Sequence, residues 1–152
     1  MSARPFVPDG FAAPQTLIDA HFRLEPLGPQ HNAADRAAWM SSIEHILATP
    51  GWEGRDWPPP EGMSAEENLH DLERHAADFA ARRGFTYTVL APDGDVIGCV
   101  YIYPAQDGEH DAHVRSWVSA AAAELDAPLY AAVRRWLVEE WPFARLEYAE
   151  RD

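Results

Sequence analysis

The chain has 152 residues, with twelve basic against 25 acidic side chains, a formal net charge of −13 and 47% hydrophobic residues. That length suits one domain with a proper core, and the composition excludes a disordered, collagen-like or coiled-coil chain. The acidic balance speaks against nucleic acid or an anionic membrane as partner, since both demand a basic surface.

The first residues, 1–20, carry Pro5, Pro8, Gly10 and Pro14 without a sustained period. They read as an irregular arm pinned by Phe6 and Phe11, ahead of a single domain over 21–152. No apolar segment of signal-peptide kind is visible there, so a cytoplasmic protein is expected. His21 to Leu27 alternates and predicts a short strand, with Pro26 at an edge or end. Gly28-Pro29 starts a helix, in which Trp39, Ile43, Ile46 and Leu47 keep helical spacing until Thr49-Pro50-Gly51. Residues 50–63 hold two Trp, four Pro and three Gly, which predicts a stiff loop. Ser64-Ala65-Glu66-Glu67 has the spacing of a capping box. Leu69, Leu72, Ala76 and Phe79 then mark a helical face, with Gly84 as its stop.

The second half changes period. Phe85–Leu90 is rich in aromatic and β-branched residues, Pro92 to Asp95 is a turn, and Val96–Tyr103 is a continuous apolar run, together an antiparallel hairpin. The run is far shorter than the ~20 residues of a membrane helix. Asp107-Gly108 turns again, and residues 111–118 alternate as a further strand. Asp126 caps a helix holding Leu129, Val133, Trp136 and Leu137, which ends before Pro142. Arg145 to Tyr148 is a last short strand. The order β-α-α-β-β-β-α-β predicts an α+β fold with a mixed sheet covered on both faces.

All twelve basic residues are arginine, which removes lysine Schiff-base and P-loop chemistry. The lone Cys99 sits in an apolar strand and reads as an inert buried thiol. His70 and His75 are five apart and match no zinc-helix spacing; they read as a solvated helix face, as Arg82-Arg83 does. Asp111 and His113 share a strand face, with Glu109 and His110 beside them, but no third ligand follows, so no metal is expected.

FRLEPL, FTYTVLAPDGDVIGCVYIYP and VRSWVSAAAAELDAPLYAAVRRWLVEEWPF, in this order of elements, resemble the GNAT N-acetyltransferase superfamily over roughly residues 21–149. The resemblance implies transfer of an acetyl or acyl group from acetyl-CoA to an amine, either a small molecule or a peptide N-terminus. It implies a cofactor cleft where the fourth and fifth strands splay, bordered by Trp117, Val118, Ser119 and Tyr130. The pyrophosphate would rest on amides at the start of the main helix. His113 or Glu109 would serve as the base. Trp52, Trp57 and Arg115 would shape the acceptor side. The chain departs from the pattern R/Q-x-x-G-x-G/A. The loop at that point, residues 119–126, reads SAAAAELD with no glycine, and it brings Glu124 and Asp126 to where a pyrophosphate would rest; two like charges at ~4 Å would repel by about 4 kcal/mol at an effective dielectric near 20. The chain also stops after the fifth strand, where the family continues with a helix and two strands, so a homodimer that completes the sheet is compatible with it. The alternative is a GNAT-shaped protein without the cofactor site that binds a ligand or partner.

Overall fold

A six-stranded sheet organises the chain. The computed structural model describes residues 5–151. In it β1 (Leu17–Ile18), β2 (Arg23–Pro26), β3 (Phe85–Leu90), β4 (Val96–Pro104), β5 (Ala112–Val118) and β6 (Leu146–Tyr148) lie side by side in sequence order. The first four pairings are antiparallel. β5 and β6 are parallel because the helix α4 (Asp126–Glu140) carries the chain back between them. The mixed α+β sheet expected from the sequence is therefore present.

The pleat sorts the side chains onto two cores. Phe85, Tyr87, Val100, Ile102, Val114 and Val118 face α4 and meet Leu129, Val133, Trp136 and Leu137. Cys99 and Trp117 face the opposite side and pack with Trp39 of α1 (Asn32–Met40), Ile46 of α2 (Ile43–Leu47) and Leu72 of α3 (Ala65–Ala80). Across β4 and β5 the register pairs Cys99 with Trp117, Tyr101 with Arg115 and Tyr103 with His113. These six residues form one stripe under the helices, and that stripe is the floor of the site. Among the described residues no helix is long and apolar enough to cross a membrane.

Several local details differ from the sequence reading. The arm is pinned as expected, by Phe6 on Phe85 and Phe143 and Phe11 on Trp141, but it also contributes β1. The single helix expected from Pro29 to Leu47 is a short 3-10 turn (Pro29–His31) followed by α1 and α2. The break falls at Ser42, a non-helical residue whose Oγ accepts the Ala120 N–H at 2.9 Å; serine competes in this way for backbone groups. α3 starts at the Ser64/Glu67 capping box. Its stop is Arg82 in the left-handed region (φ 62°), not Gly84. Arg82 is not a solvated face either, because its guanidinium donates to the carbonyls of Pro8 and Phe11. Gly84 is needed because a Cβ there would overlap the Tyr103 ring.

Candidate functional site

A cavity of about 320 Å³ opens between α3, the 50–63 loop and the sheet. Trp52, Trp57 and Tyr101 form its aromatic walls. Trp57 is central to them: its ring centroid lies 5.1 Å from Trp39, 5.5 Å from Trp52, 6.4 Å from Tyr101 and 6.2 Å from Trp117. The loop holds Trp57 through a cis bond to Pro58, followed by Pro59 and Pro60. Trp52 is fully buried and donates Nε1–H to the Ser116 carbonyl at 2.9 Å. The two tryptophans thus anchor the loop and wall the cavity at once.

The polar lining is built from α1 and α3. Asn68 is buried. Its Oδ1 accepts from Trp39 Nε1 at 3.0 Å, and its amide donates to Asp35 Oδ2 at 3.2 Å and Asn32 Oδ1 at 2.8 Å. Burial pushes the Asp35 carboxyl up to about 6, against the Asn68 hydrogen bond, which pulls it down. His75 lines the same cavity, its Nδ1 2.9 Å from Tyr103 Oη and 3.1 Å from Thr86 Oγ1. Tyr103 donates its only proton to Asp78 Oδ2 at 2.8 Å, so its oxygen is free to accept from His75 Nδ1–H. Burial, reinforced by Arg74 and Arg115, holds His75 down at about 4 and therefore neutral.

Arg115 completes the lining from β5. Its guanidinium carbon sits 4.7 Å from the Trp52 ring centroid and 5.8 Å from that of Tyr101, within cation–π range of both rings.

Beside this cavity β5 and β6 part. They pair from Ala112 with Leu146 to Val114 with Tyr148, and β5 then runs on alone to Val118. The gap is filled from within the chain. Tyr148 Oη meets Ser116 Oγ at 2.6 Å, and Gly51 lies against Ala149. Arg151, its side chain only 3% exposed, donates to the Ser116 carbonyl at 2.8 Å, the Ala149 carbonyl at 2.7 Å and Asp126 Oδ2 at 2.8 Å. Tyr130 and Tyr148, 4.6 Å apart, flank its guanidinium.

No family model and no curated protein matches the chain. Solved structures do. RimJ from Mycobacterium smegmatis, in complex with a CoA disulfide, superposes with a TM-score of 0.64 at 17% identity over 86% of this chain and 62% of that one. The ribosomal-protein-S5-alanine acetyltransferase from Vibrio fischeri gives 0.62 at 12% identity, covering 82% and 67%. The microcin C7 self-immunity acetyltransferase MccE, in complex with acetyl-CoA and AMP, gives 0.61 at 11% identity, covering 80% and 63%. The fold is that of the GNAT acetyltransferases. The chain spans about two-thirds of the length of these structures.

On the GNAT scaffold the expected acetyl-CoA cleft is the divergence of β5 and β6, and the residues present there do not fit the cofactor. Arg151 and Trp52 already occupy the Ser116 carbonyl. The segment before α4 is a 3-10 helix, Ala120–Leu125, without glycine. It runs directly into α4, so the Asp126 N–H bonds back to the Ala123 carbonyl, and Pro128 has no N–H to offer. Asp126 does not cap the helix as the sequence suggested. Its Oδ2 is bound to Arg151, while its buried Oδ1 has no hydrogen-bond partner. A pyrophosphate at the start of α4 would meet the Asp126 carboxylate.

The remaining expected site residues fall as follows. Trp52, Trp57 and Arg115 come together in the cavity. His113 stands at its rim on the same face of β5, with Nδ1 2.7 Å from Glu147 and Nε2 3.4 Å from Arg55. Glu109 is in the turn before β5, at the end of the strand opposite the β5–β6 divergence, and its carbonyl accepts from Arg145. Trp117 is buried beneath Trp57 and donates Nε1–H to Tyr101 Oη at 3.0 Å. Val118 is buried, and the Ser119 N–H bonds the Ile97 carbonyl. Tyr130 walls the Arg151 seat. Asp107, His110 and Glu147 bring ligand atoms within 4.8 Å of one another, but His110 is paired with Asp107 and Glu147 with His113. Sequence reading missed Asp35, Asn68, Tyr101 and His75. His75 is not on a solvated face: it sits at i+7 from Asn68 and i+3 from Leu72, spacing that marks the buried stripe of α3.

Proposed function

We propose that this chain is a ligand-binding protein on a GNAT scaffold, and that its working site is the cavity between Trp52, Trp57 and Tyr101. The single observation that supports this most is the seat of Arg151. The cleft where a cofactor would lie is filled by the chain's own buried ion pair, while the neighbouring aromatic cavity stays open. No membrane or nucleic acid enters this reading, and a cytoplasmic location is carried with it. The test is a thermal-shift screen of small organic molecules against the wild type and Trp57→Ala. Stabilisers that act on the wild type and lose their effect in Trp57→Ala support the reading. A ligand at 100 times its dissociation constant adds about 2.7 kcal/mol. The absence of any such compound counts against it.

A second reading is favoured by the similarity to acetyltransferase structures and by the parallel, diverging β5 and β6. In this reading Val118, Ser119 and Tyr130 would border a CoA thioester, which would supply an activated acyl group for an amine held in the cavity, with the CoA thiol as the leaving group. His75 Nε2 or His113 would be the base, both nearer the aromatic cavity than Glu109. Calorimetric titration with acetyl-CoA separates the two. Binding by the wild type supports the second reading. Binding by neither the wild type nor Arg151→Ala supports the first.

A further inference from the structure

Arg115 lines the cavity with a donor that is left unsatisfied. Its Nε is buried and has no hydrogen-bond partner. Among the described residues no carboxylate pairs with it. The acids that line the cavity are engaged elsewhere, Asp71 with Arg74 at 3.6 Å and Asp35 with Asn68. The nearby charge is Arg55, a second cation, which contacts only the His113 ring. Burial and Arg55 both hold the Arg115 pKa below its ordinary value, as expected for a guanidinium lacking a counterion. The cavity lining carries Arg74 and Arg115 beside Asp35 and Asp71, and with Arg74 on Asp71, Arg115 is the cation of this set without a carboxylate among the described residues.

We infer that this cavity takes a small aromatic carboxylate, with the carboxylate paired to Arg115 and the ring resting on Trp57 and Tyr101. The inference rests on the cavity being the working site. The Arg115 guanidinium lies over the Trp52 ring at 4.7 Å, and its planar fork of donors matches the two oxygens of a carboxylate. The volume lies at the lower end for small-molecule sites, which suits a single ring with a short acidic arm. Asp35 and Asp71 in the same lining disfavour a dianion such as a phosphate monoester.

The test is calorimetric titration of the full chain at pH 7.5 and low salt with three matched probes: 3-phenylpropionate, its neutral amide 3-phenylpropanamide, and phenethylamine. The acid is expected to bind the wild type at least about tenfold more tightly than the amide, the size of a charge-assisted pair. Arg115→Gln should remove that preference, and Arg115→Lys should restore part of it. The acid–amide comparison in the wild type stands even if a substitution unfolds the protein. Equal affinity for acid and amide, an acid preference retained in Arg115→Gln, or no binding of the acid would each overturn the inference. Binding of phenethylamine alone would overturn it while leaving the cavity as a ligand site. Failure of all three probes, together with a silent small-molecule screen, would remove both.

Discussion

Replacing Asp35 with Asn should change the pH dependence of stability in a way that its neighbours dictate. The Asp35 carboxyl is buried under Trp39 and Asn68, and burial raises its pKa from 3.8 to about 6 in the native protein. The folded chain therefore binds this proton more tightly than the unfolded chain does. Its contribution to stability is fully present below pH 3.8 and is lost as pH rises through 6. Two units at 1.36 kcal/mol each put the full effect near 3 kcal/mol, of which about 2 kcal/mol falls between pH 4 and pH 8. Asn keeps an oxygen to accept the Asn68 amide and carries no charge. Relative to the wild type, Asp35→Asn should thus gain about 2 kcal/mol on going from pH 4 to pH 8. Urea unfolding followed by tryptophan fluorescence at pH 4, 5, 6.5 and 8 measures the difference directly. A variant-minus-wild-type difference constant within about 0.5 kcal/mol across that range would refute a buried, protonation-linked Asp35.

His75 should give the opposite sign. Its native pKa is depressed from 6.5 to about 4 by burial and by Arg74 and Arg115, so its contribution is present above pH 6.5 and lost as pH falls toward 4; His75→Gln should gain about 2 kcal/mol over the wild type between pH 8 and pH 5 in the same assay. Arg151→Ala strands Asp126 and half of the Ser116 carbonyl's partners and should cost about 2–3 kcal/mol in urea unfolding, less than a fully buried pair because the Asp126 side chain is 20% exposed; a loss under 0.5 kcal/mol would refute the seat. Trp52 and Arg151 share one acceptor, so a double-mutant cycle with Trp52→Phe should show non-additivity of about 0.5–1 kcal/mol, whereas strict additivity would separate cavity from cleft. Gly84→Ala should destabilise by about 1–3 kcal/mol through the clash with Tyr103, read as a lowered unfolding midpoint with unchanged slope.

Strand identity and order were legible because the strand texture of Phe85–Leu90 and Val96–Tyr103 and the turns at Pro92–Asp95 and Asp107-Gly108 all agree with the final sheet. The Ser64/Glu67 box was legible because its hydrogen bonds are local. What escaped depends on distant partners. Ser42 breaks the first helix because Ala120, far along the chain, needs its hydroxyl. Arg82 takes a left-handed backbone and a structural role because Pro8 and Phe11 need a donor. Trp52, Trp57 and Arg115 stood out as candidates because bulky aromatics and a mid-strand arginine are uncommon there. Asp35, Asn68 and His75 did not, because a polar residue on a helix is ordinarily solvated. Packing of α1 on α3, and of α3 on β3 and β4, turns these residues inward.

The two faces of β5 carry opposite solutions to the same electrostatic problem. On the α4 side, an acidic residue at the start of a helix is matched by Arg151, which leaves no positive field for a phosphate. On the other side, Arg115 lies over Trp52 and has no carboxylate partner among the described residues. The Ser116 carbonyl, bound by both Trp52 and Arg151, links the two faces through one oxygen atom. The cation that could meet a phosphate is thus buried in an ion pair with Asp126, while the one that faces open space lies among aromatic rings. On the proposed reading, that distribution moves anion recognition from the β5–β6 divergence to the aromatic cavity. It also explains how a sheet so similar to those of acetyltransferases supports a different proposed use.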